Sequence, residues 1–282
     1  MLGMGVSTEY GAFSAPNTLR LDRLHHEYPQ FGQFLEVGVE VSKGVDDDAL
    51  AWVAQGLATT YHFLDINLDE MDDFDESWLS TAQEWIERLN PAWICGDLGL
   101  WHFGPRDRNH MLLLPPILTT DSAKEMAEGI CVLRERLGRE VLPENPPGVI
   151  YIGELDLLDY FARVIDRADT GMLLDCAHLA MYQQLMGRKP TQGLADFPLD
   201  RIIEMHVAGG AQRNTDGFQW IEDDHGLKVL PETWEIFEYV AQRASNLRAV
   251  VMECERNPLN ECLAMMSRAA SILGSHRMGT TL

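Results

Sequence analysis

About eight times along the chain, a short apolar run rich in β-branched residues gives way to a longer segment of helical period, and few architectures accept that order. Strands alternating with helices imply a parallel sheet, because each parallel pairing needs a crossover long enough to hold a helix. The strand candidates are Leu2 to Ser7, Phe34 to Val39, Thr59 to Leu64, Trp93 to Leu98, Val141 to Glu144, Gly171 to Cys176, Ile202 to Val207 and Val250 to Glu253. Helical patterns run from Asp46 to Leu57, Glu76 to Leu89, Ser122 to Leu137, Glu154 to Arg167, Glu232 to Arg243 and Asn260 to Leu273. Asp75-Glu-Ser-Trp and Thr120-Asp-Ser-Ala carry residue types that cap helix starts. The chain has 282 residues, 46% of them hydrophobic and 23% charged, so it can fill the core of a (β/α)₈ barrel, which typically takes about 250 residues. No Gly/Ser linker, low-complexity tract or longer repeat divides it. The expectation is an α/β fold: a single (β/α)₈ TIM barrel over residues 1–282.

Charge narrows the partners. Against 44 Asp+Glu there are 22 Lys+Arg, a formal net charge of −22, which supplies little of the basic face a phosphate backbone requires. Nucleic acid is therefore not expected as a partner; a chain this acidic stays soluble, attracts cationic partners and concentrates metal cations, and acidity alone does not choose among these. The five cysteines, Cys95, Cys131, Cys176, Cys254 and Cys262, are scattered and contain no Cys-x-x-Cys pair, as suits a reducing compartment. No basic start leads into an apolar run, and no stretch of about 18 apolar residues occurs, so a cytoplasmic protein without membrane contact is expected. Gly-x-Gly-x-x-Gly, Gly-Lys-Ser/Thr and Gly-x-Ser-x-Gly patterns are all absent, which disfavours dinucleotide, P-loop and serine-hydrolase chemistry. The acidic run Asp69 to Glu76 reads as a solvated loop, although a loop after a barrel strand could also attract a basic peptide.

Barrel active sites are built from the carboxyl ends of the strands, and here those ends share one chemistry. Strand two carries Glu36 and strand three His62; strand four ends at Asp97, strand five at Glu144, and strand six runs into Asp175-Cys-Ala-His178. Strand seven ends Glu204-Met-His206-Val, its loop contains Glu222-Asp-Asp-His225, and strand eight ends at Glu253. An isolated carboxylate in a dry barrel costs several kcal/mol, and the loops offer only Arg106, Arg108, Arg213 and Lys228 to pair with so many. Divalent cations would balance the charge, and mixed imidazole and carboxylate donors suit iron, zinc or manganese. Each signal has a plainer reading: Asp175-x-x-His178 as a helix cap, His62 as a core histidine, Glu36 as a supporting charge, Asp223-x-His225 as a polar turn. The series favours a multinuclear metal site. His25 and His26 read as surface residues, His102 and His110 lie on a long loop after strand four, and Met181, Met186, Met265 and Met266 read as core filling.

The segments Leu142-Pro-Glu-Asn-Pro, Asp169-Thr-Gly-Met-Leu-Leu-Asp-Cys-Ala-His-Leu and Leu199-Asp-Arg-Ile-Ile-Glu-Met-His-Val-Ala-Gly, with the later Asp-Asp-His and Val250-Val-Met-Glu, resemble the multinuclear non-haem iron-dependent oxidative enzymes. That family is similar to the wider xylose-isomerase-like and endonuclease IV-like TIM barrels. The ligands the resemblance implies are His62, Asp97, Glu144, Asp175, His178, His206, Asp223, His225 and Glu253, with Asp223 and His225 also as catalytic groups. Three positions depart from the family's habit: Asp97 stands where His is usual, His178 where many members have Asn, and Gly210 where a second His is frequent. The resemblance further implies two or three iron ions in a mixed Fe(II)/Fe(III) state and O₂ as co-substrate. The implied substrate is a residue, often Cys, of a ribosomally synthesised precursor peptide in natural-product biosynthesis, presented with a small leader-recognising partner protein. The competing reading is a zinc- or manganese-dependent hydrolase or sugar isomerase of the same superfamily. The net charge weighs against a nuclease, and an isomerase would want Lys228 or His102 near two metals.

Overall fold

A computed structural model describes residues 1–8, 18–103, 108 and 112–279, with side chains to residue 274; Arg106 and His110 lie outside the described residues. Eight parallel strands close a barrel: β1 Gly3–Thr8, β2 Phe34–Val39, β3 Ala58–Phe63, β4 Ile94–Asp97, β5 Val141–Glu144, β6 Met172–Asp175, β7 Ile202–Ala208 and, after an inserted hairpin, β10 Ala249–Glu253. Around the cylinder the order is β1-β10-β7-β6-β5-β4-β3-β2. Helices follow the barrel strands in turn: α1 Leu21–Glu27, α2 Asp47–Ala54, α3 Glu76–Leu89, α4 Thr120–Leu137, α5 Leu157–Ala168, α6 Cys176–Leu185, α7 Pro231–Ala241 and α8 Leu259–Gly279. Caps set several of their starts. Asp75 accepts from the Trp78 amide, Thr119 rather than Thr120 caps α4, and Asp156 caps α5. No helix among the described residues is long and apolar enough to cross a membrane.

The period-2 alternation of strands positions the site. Outward-facing residues such as Leu35, Val37, Leu174 and Val207 pack with the helices. Inside the barrel, Phe34, Trp93, Cys95, Leu142, Leu173, Ala249 and Val251 form a separate lower cluster. Two residues further along the same inward faces come Glu36, within β2, and Asp97, Glu144, Asp175 and Glu253, each the last residue of its strand. Register brings Asp97 beside Glu144 and Asp175 beside His206. An apolar plug thus supports a rim of acids and imidazoles.

The sequence pattern lacks one element that the fold contains. β8 Gly210–Thr215 and β9 Phe218–Asp223 form an antiparallel hairpin after β7. Its turn residues, Asp216 and Gly217, have φ of 52° and 87°, the positive values a tight two-residue hairpin turn needs and Asp-Gly supplies. Met186 also differs from expectation: it is 48% exposed just after α6, whereas Met181, Met265 and Met266 are buried.

Candidate metal centre

All nine side chains singled out in the sequence meet at the carboxyl end of the barrel. His62 Nε2 lies 2.8 Å from Glu144 Oε2 and 4.0 Å from Asp97 Oδ2. His206 Nδ1 lies 3.3 Å from Glu144 Oε1, 3.2 Å from Glu253 Oε1 and 3.9 Å from Asp175 Oδ2. His178 Nε2 and His225 Nε2 each lie 3.2 Å from Asp223 Oδ2, and His225 Nε2 is 3.8 Å from Glu253 Oε1. Donor atoms of His62, Asp97 and Glu144 fall within 4.8 Å of one another, as do those of Glu144, Asp175 and His178, and those of Glu36, His206 and Glu253. Glu144 contributes donors to two of these sets, and Glu253 Oε1 lies near both His206 and His225.

Local structure explains how each group arrives. Asp175 ends β6 and caps α6: its Oδ1 accepts from the His178 amide at 2.6 Å, as the helix-cap reading of Asp175-x-x-His178 expects. The cap fixes the carboxylate and leaves Oδ2 free of hydrogen bonds. Asn145 ties the ends of β5 and β6, donating to the Asp175 carbonyl and accepting from the Asp175 amide, both at 3.0 Å. Its own carbonyl lies 2.9 Å from His178 Nδ1, which turns Nε2 of that ring toward Asp223. β9 ends at Asp223, and His225 follows in a left-handed conformation with φ of 47°.

Buried polar atoms without partners test whether cations fit. Among the described residues, eleven buried side-chain N and O atoms lack a hydrogen bond, and six of them belong to this cluster: Asp97 Oδ1, Asp175 Oδ2, Asp223 Oδ1, Glu253 Oε2 and both ring nitrogens of His206. Orphaned polar atoms cost about 1–3 kcal/mol each, so their concentration here marks a place where a bound cation would be favoured. The donor set, carboxylate oxygens with imidazole nitrogens, fits first-row divalent and trivalent cations.

Electrostatics points the same way. Burial opposes charge on His62, yet the hydrogen bond to Glu144 and the fields of Glu36, Glu144 and Asp97 raise it to about 9. His178, His206 and His225 are likewise raised well above the ordinary imidazole value by the carboxylates, against burial. Burial, aided by Glu144, lifts Asp97 far above the carboxylate range, and burial with Glu253 and Glu144 lifts Asp175 to about 7. Glu144, Asp223 and Glu253 are lowered despite burial, by His206 and His62, by His225 and His178, and by His225 and His206 respectively.

Three further groups surround it. Glu36, 1% exposed, lies with Oε1 3.0 Å from His206 Nε2, while Oε2 accepts from the Cys95 thiol at 3.1 Å. Glu204 accepts from the Trp93 indole at 2.6 Å, and burial beside Glu36 raises it to about 8. Glu255 lies 2.6 Å from His225 Nδ1. Glu204 and Glu255 carry no signal in the sequence that separates them from ordinary strand-end acids. Other candidates lie elsewhere. His102 is buried against Asp73, with Nε2 3.1 Å from Oδ2, and Arg108 pairs with Asp73 and Asp75 at 2.9 Å. The acidic run is thus solvated at Glu70 and Asp72 but anchored at Asp73, which is 1% exposed. Arg213 pairs with Glu222, and Lys228 is exposed. His26 is exposed as expected, whereas His25 is half-buried, its ring edge-on to Trp52 and its Nδ1 3.1 Å from the Gly32 carbonyl.

Comparison with known proteins matches residues 19–273 to the family described as RiPP precursor modification enzyme MbnB/TglH/ChrH. A UPF0276 protein of Anaeromyxobacter sp. (strain Fw109-5) is 26% identical over 223 residues, 78% of this chain and 77% of that protein. A UPF0276 protein of Bordetella parapertussis is 27% identical over 254 residues, 87% of this chain and 86% of that protein. Among solved structures, a xylose isomerase-like TIM barrel protein from Mycobacterium smegmatis, in complex with magnesium, superposes with a TM-score of 0.61 at 11% identity, covering 98% of each chain. A xylose isomerase domain containing protein from Salmonella typhimurium gives 0.60 at 11% identity, covering 96% of this chain and 97% of that one. At such identity the likeness shows the barrel alone.

Proposed function

Since the chain belongs to the MbnB/TglH/ChrH family of RiPP precursor modification enzymes, we propose that it oxidises a residue, often Cys, of a ribosomally made precursor peptide, using O₂ and two or three iron ions in a mixed Fe(II)/Fe(III) state. The supporting observation is the convergence of nine imidazole and carboxylate side chains, five of which carry buried atoms without a hydrogen bond. In this reading His62, Asp97 and Glu144 would hold one ion, Asp175 and His206 with Glu144 or Glu253 a second, and His178, Asp223 and His225 a third where one is present. When bound, iron supplies electrons to O₂ and Lewis acidity to a substrate thiolate or carboxylate. The chain supplies position, exclusion of water and proton control.

Asp223 and His225 are the candidate catalytic groups. Their side chains are 17% and 19% exposed, more open than those of His206, Glu144 or Asp175, so they form the side of the cluster that an incoming peptide reaches. His225 and His178 keep Asp223 ionised on this open side of the cluster. The leader-recognising partner would deliver the peptide to this mouth. The isomerase reading finds less support, because Lys228 is exposed and His102 is engaged by Asp73.

Elemental analysis with EPR tests the proposal. Protein purified with iron and without chelator is expected to contain two or three irons per chain and to consume O₂ with its peptide; stoichiometric zinc with full activity rejects the oxidative reading.

A further inference from the structure

We infer that Glu255 is a positioning residue, which selects the tautomer of His225 and aims its Nε2 into the metal cluster; the inference rests on the metal-centre reading above. Glu255 follows β10 two residues after Glu253, so both carboxylates leave the same strand end, yet only Glu253 faces the donor atoms of the other ligands. Glu255 is fully buried. Its Oε1 lies 2.6 Å from His225 Nδ1, and its Oε2 accepts from the Ser7 hydroxyl at 3.2 Å, so both oxygens are committed and the carboxylate cannot turn away. Nδ1 of His225 must then carry the proton, and Nε2, 3.2 Å from Asp223 and 3.8 Å from Glu253, keeps its lone pair for a cation.

The backbone of His225 is held from the same strand end. Its positive φ is costly for a residue with a Cβ and persists only where neighbours fix it. Asn257 does so, donating from Nδ2 to the His225 carbonyl at 2.7 Å, while the Asn257 amide bonds to the Cys254 carbonyl at 3.0 Å. The segment Glu253-Cys-Glu-Arg-Asn257 therefore supplies a ligand, an anionic partner for a second ligand, and a clamp on that ligand's backbone. His178 differs, because its Nδ1 is held by the neutral Asn145 carbonyl. An anionic partner makes an imidazole the stronger electron donor, so the ion at His225 is the one whose affinity and electronic state depend on Glu255.

Titration of the metal-free full chain with Co²⁺, followed by visible d–d absorption, tests this without iron, O₂ or peptide. For Glu255→Gln, one of the bound ions is expected to weaken roughly ten- to hundredfold with a changed d–d spectrum, while the remaining ions bind as in wild type. Should Glu255→Gln fail to fold, Asn257→Ala is read by the same criteria. A loss below about tenfold with an unchanged spectrum overturns the assignment, and so does an equal loss at every ion accompanied by a lower melting temperature. Wild-type protein that binds no Co²⁺ refutes the metal-centre reading itself, a result distinct from either.

Discussion

Single side chains in this barrel serve packing and chemistry together, and substitutions can separate the two. Asp175 uses one oxygen as a helix cap and presents the other, unpaired, to the cluster. Asn caps a helix about as well as Asp, so Asp175→Asn should keep thermal stability and lose cation affinity, whereas Asp175→Ala should lose both, with about 1 kcal/mol from the cap. Thermal melts beside metal titrations would show the split. His206→Ala and Glu144→Ala should lose metal and activity while the fold survives, as circular dichroism and elemental analysis would record; metal retained in both would displace the site. The imidazoles also set a pH dependence. His62 is raised from 6.5 to about 9 in the folded protein, so protonation stabilises the metal-free fold fully below pH 6.5, and that stability drains away as pH rises through 9. Chelated protein should therefore lose up to roughly 3 kcal/mol across that window, and metal-loaded protein, in which a cation replaces the proton, much less.

Among the elements, the hairpin and the loop that follows it govern the open side of the site. Gly209 ends the His206-Val-Ala-Gly209 segment where an added Cβ would lie 2.0 Å from the Gly226 carbonyl oxygen, in the loop that carries His225. Gly209→Ala should push that loop outward, weakening one ion by about tenfold while the barrel's melting temperature changes little, a difference that paired Co²⁺ titration and calorimetry would register. The barrel strands are legible in the sequence because both of their faces are buried, so they read as apolar runs bounded by loops. The hairpin is not, because Gln212, Arg213 and Asn214 are exposed and no apolar alternation marks them; only Asp216-Gly217 signals its turn. α6 shows no helical stripe for the opposite reason: Cys176 through Gln183 are buried all round. Candidate ligands stand out because charge at a strand end is conspicuous in an apolar run. Asn145 and Glu255 do not, since their importance lies in which atoms they touch across the barrel.

At the scale of the whole molecule, an acidic chain has closed a barrel around a cluster of buried carboxylates, and the proposed cations would offset that charge. Ions that bind the folded chain and not the unfolded one raise stability with the logarithm of their concentration, so the melting temperature should climb with added Fe²⁺ or Co²⁺ and fall on chelation. A melting temperature indifferent to metal would leave the orphaned atoms of the rim without an explanation. The most direct test is anomalous diffraction at the iron edge from crystals of the iron-loaded protein. The account predicts two or three peaks within ligand distance of Glu144 and Glu253; crystals of loaded, active protein with no peak there, and the nine side chains paired among themselves, would contradict it.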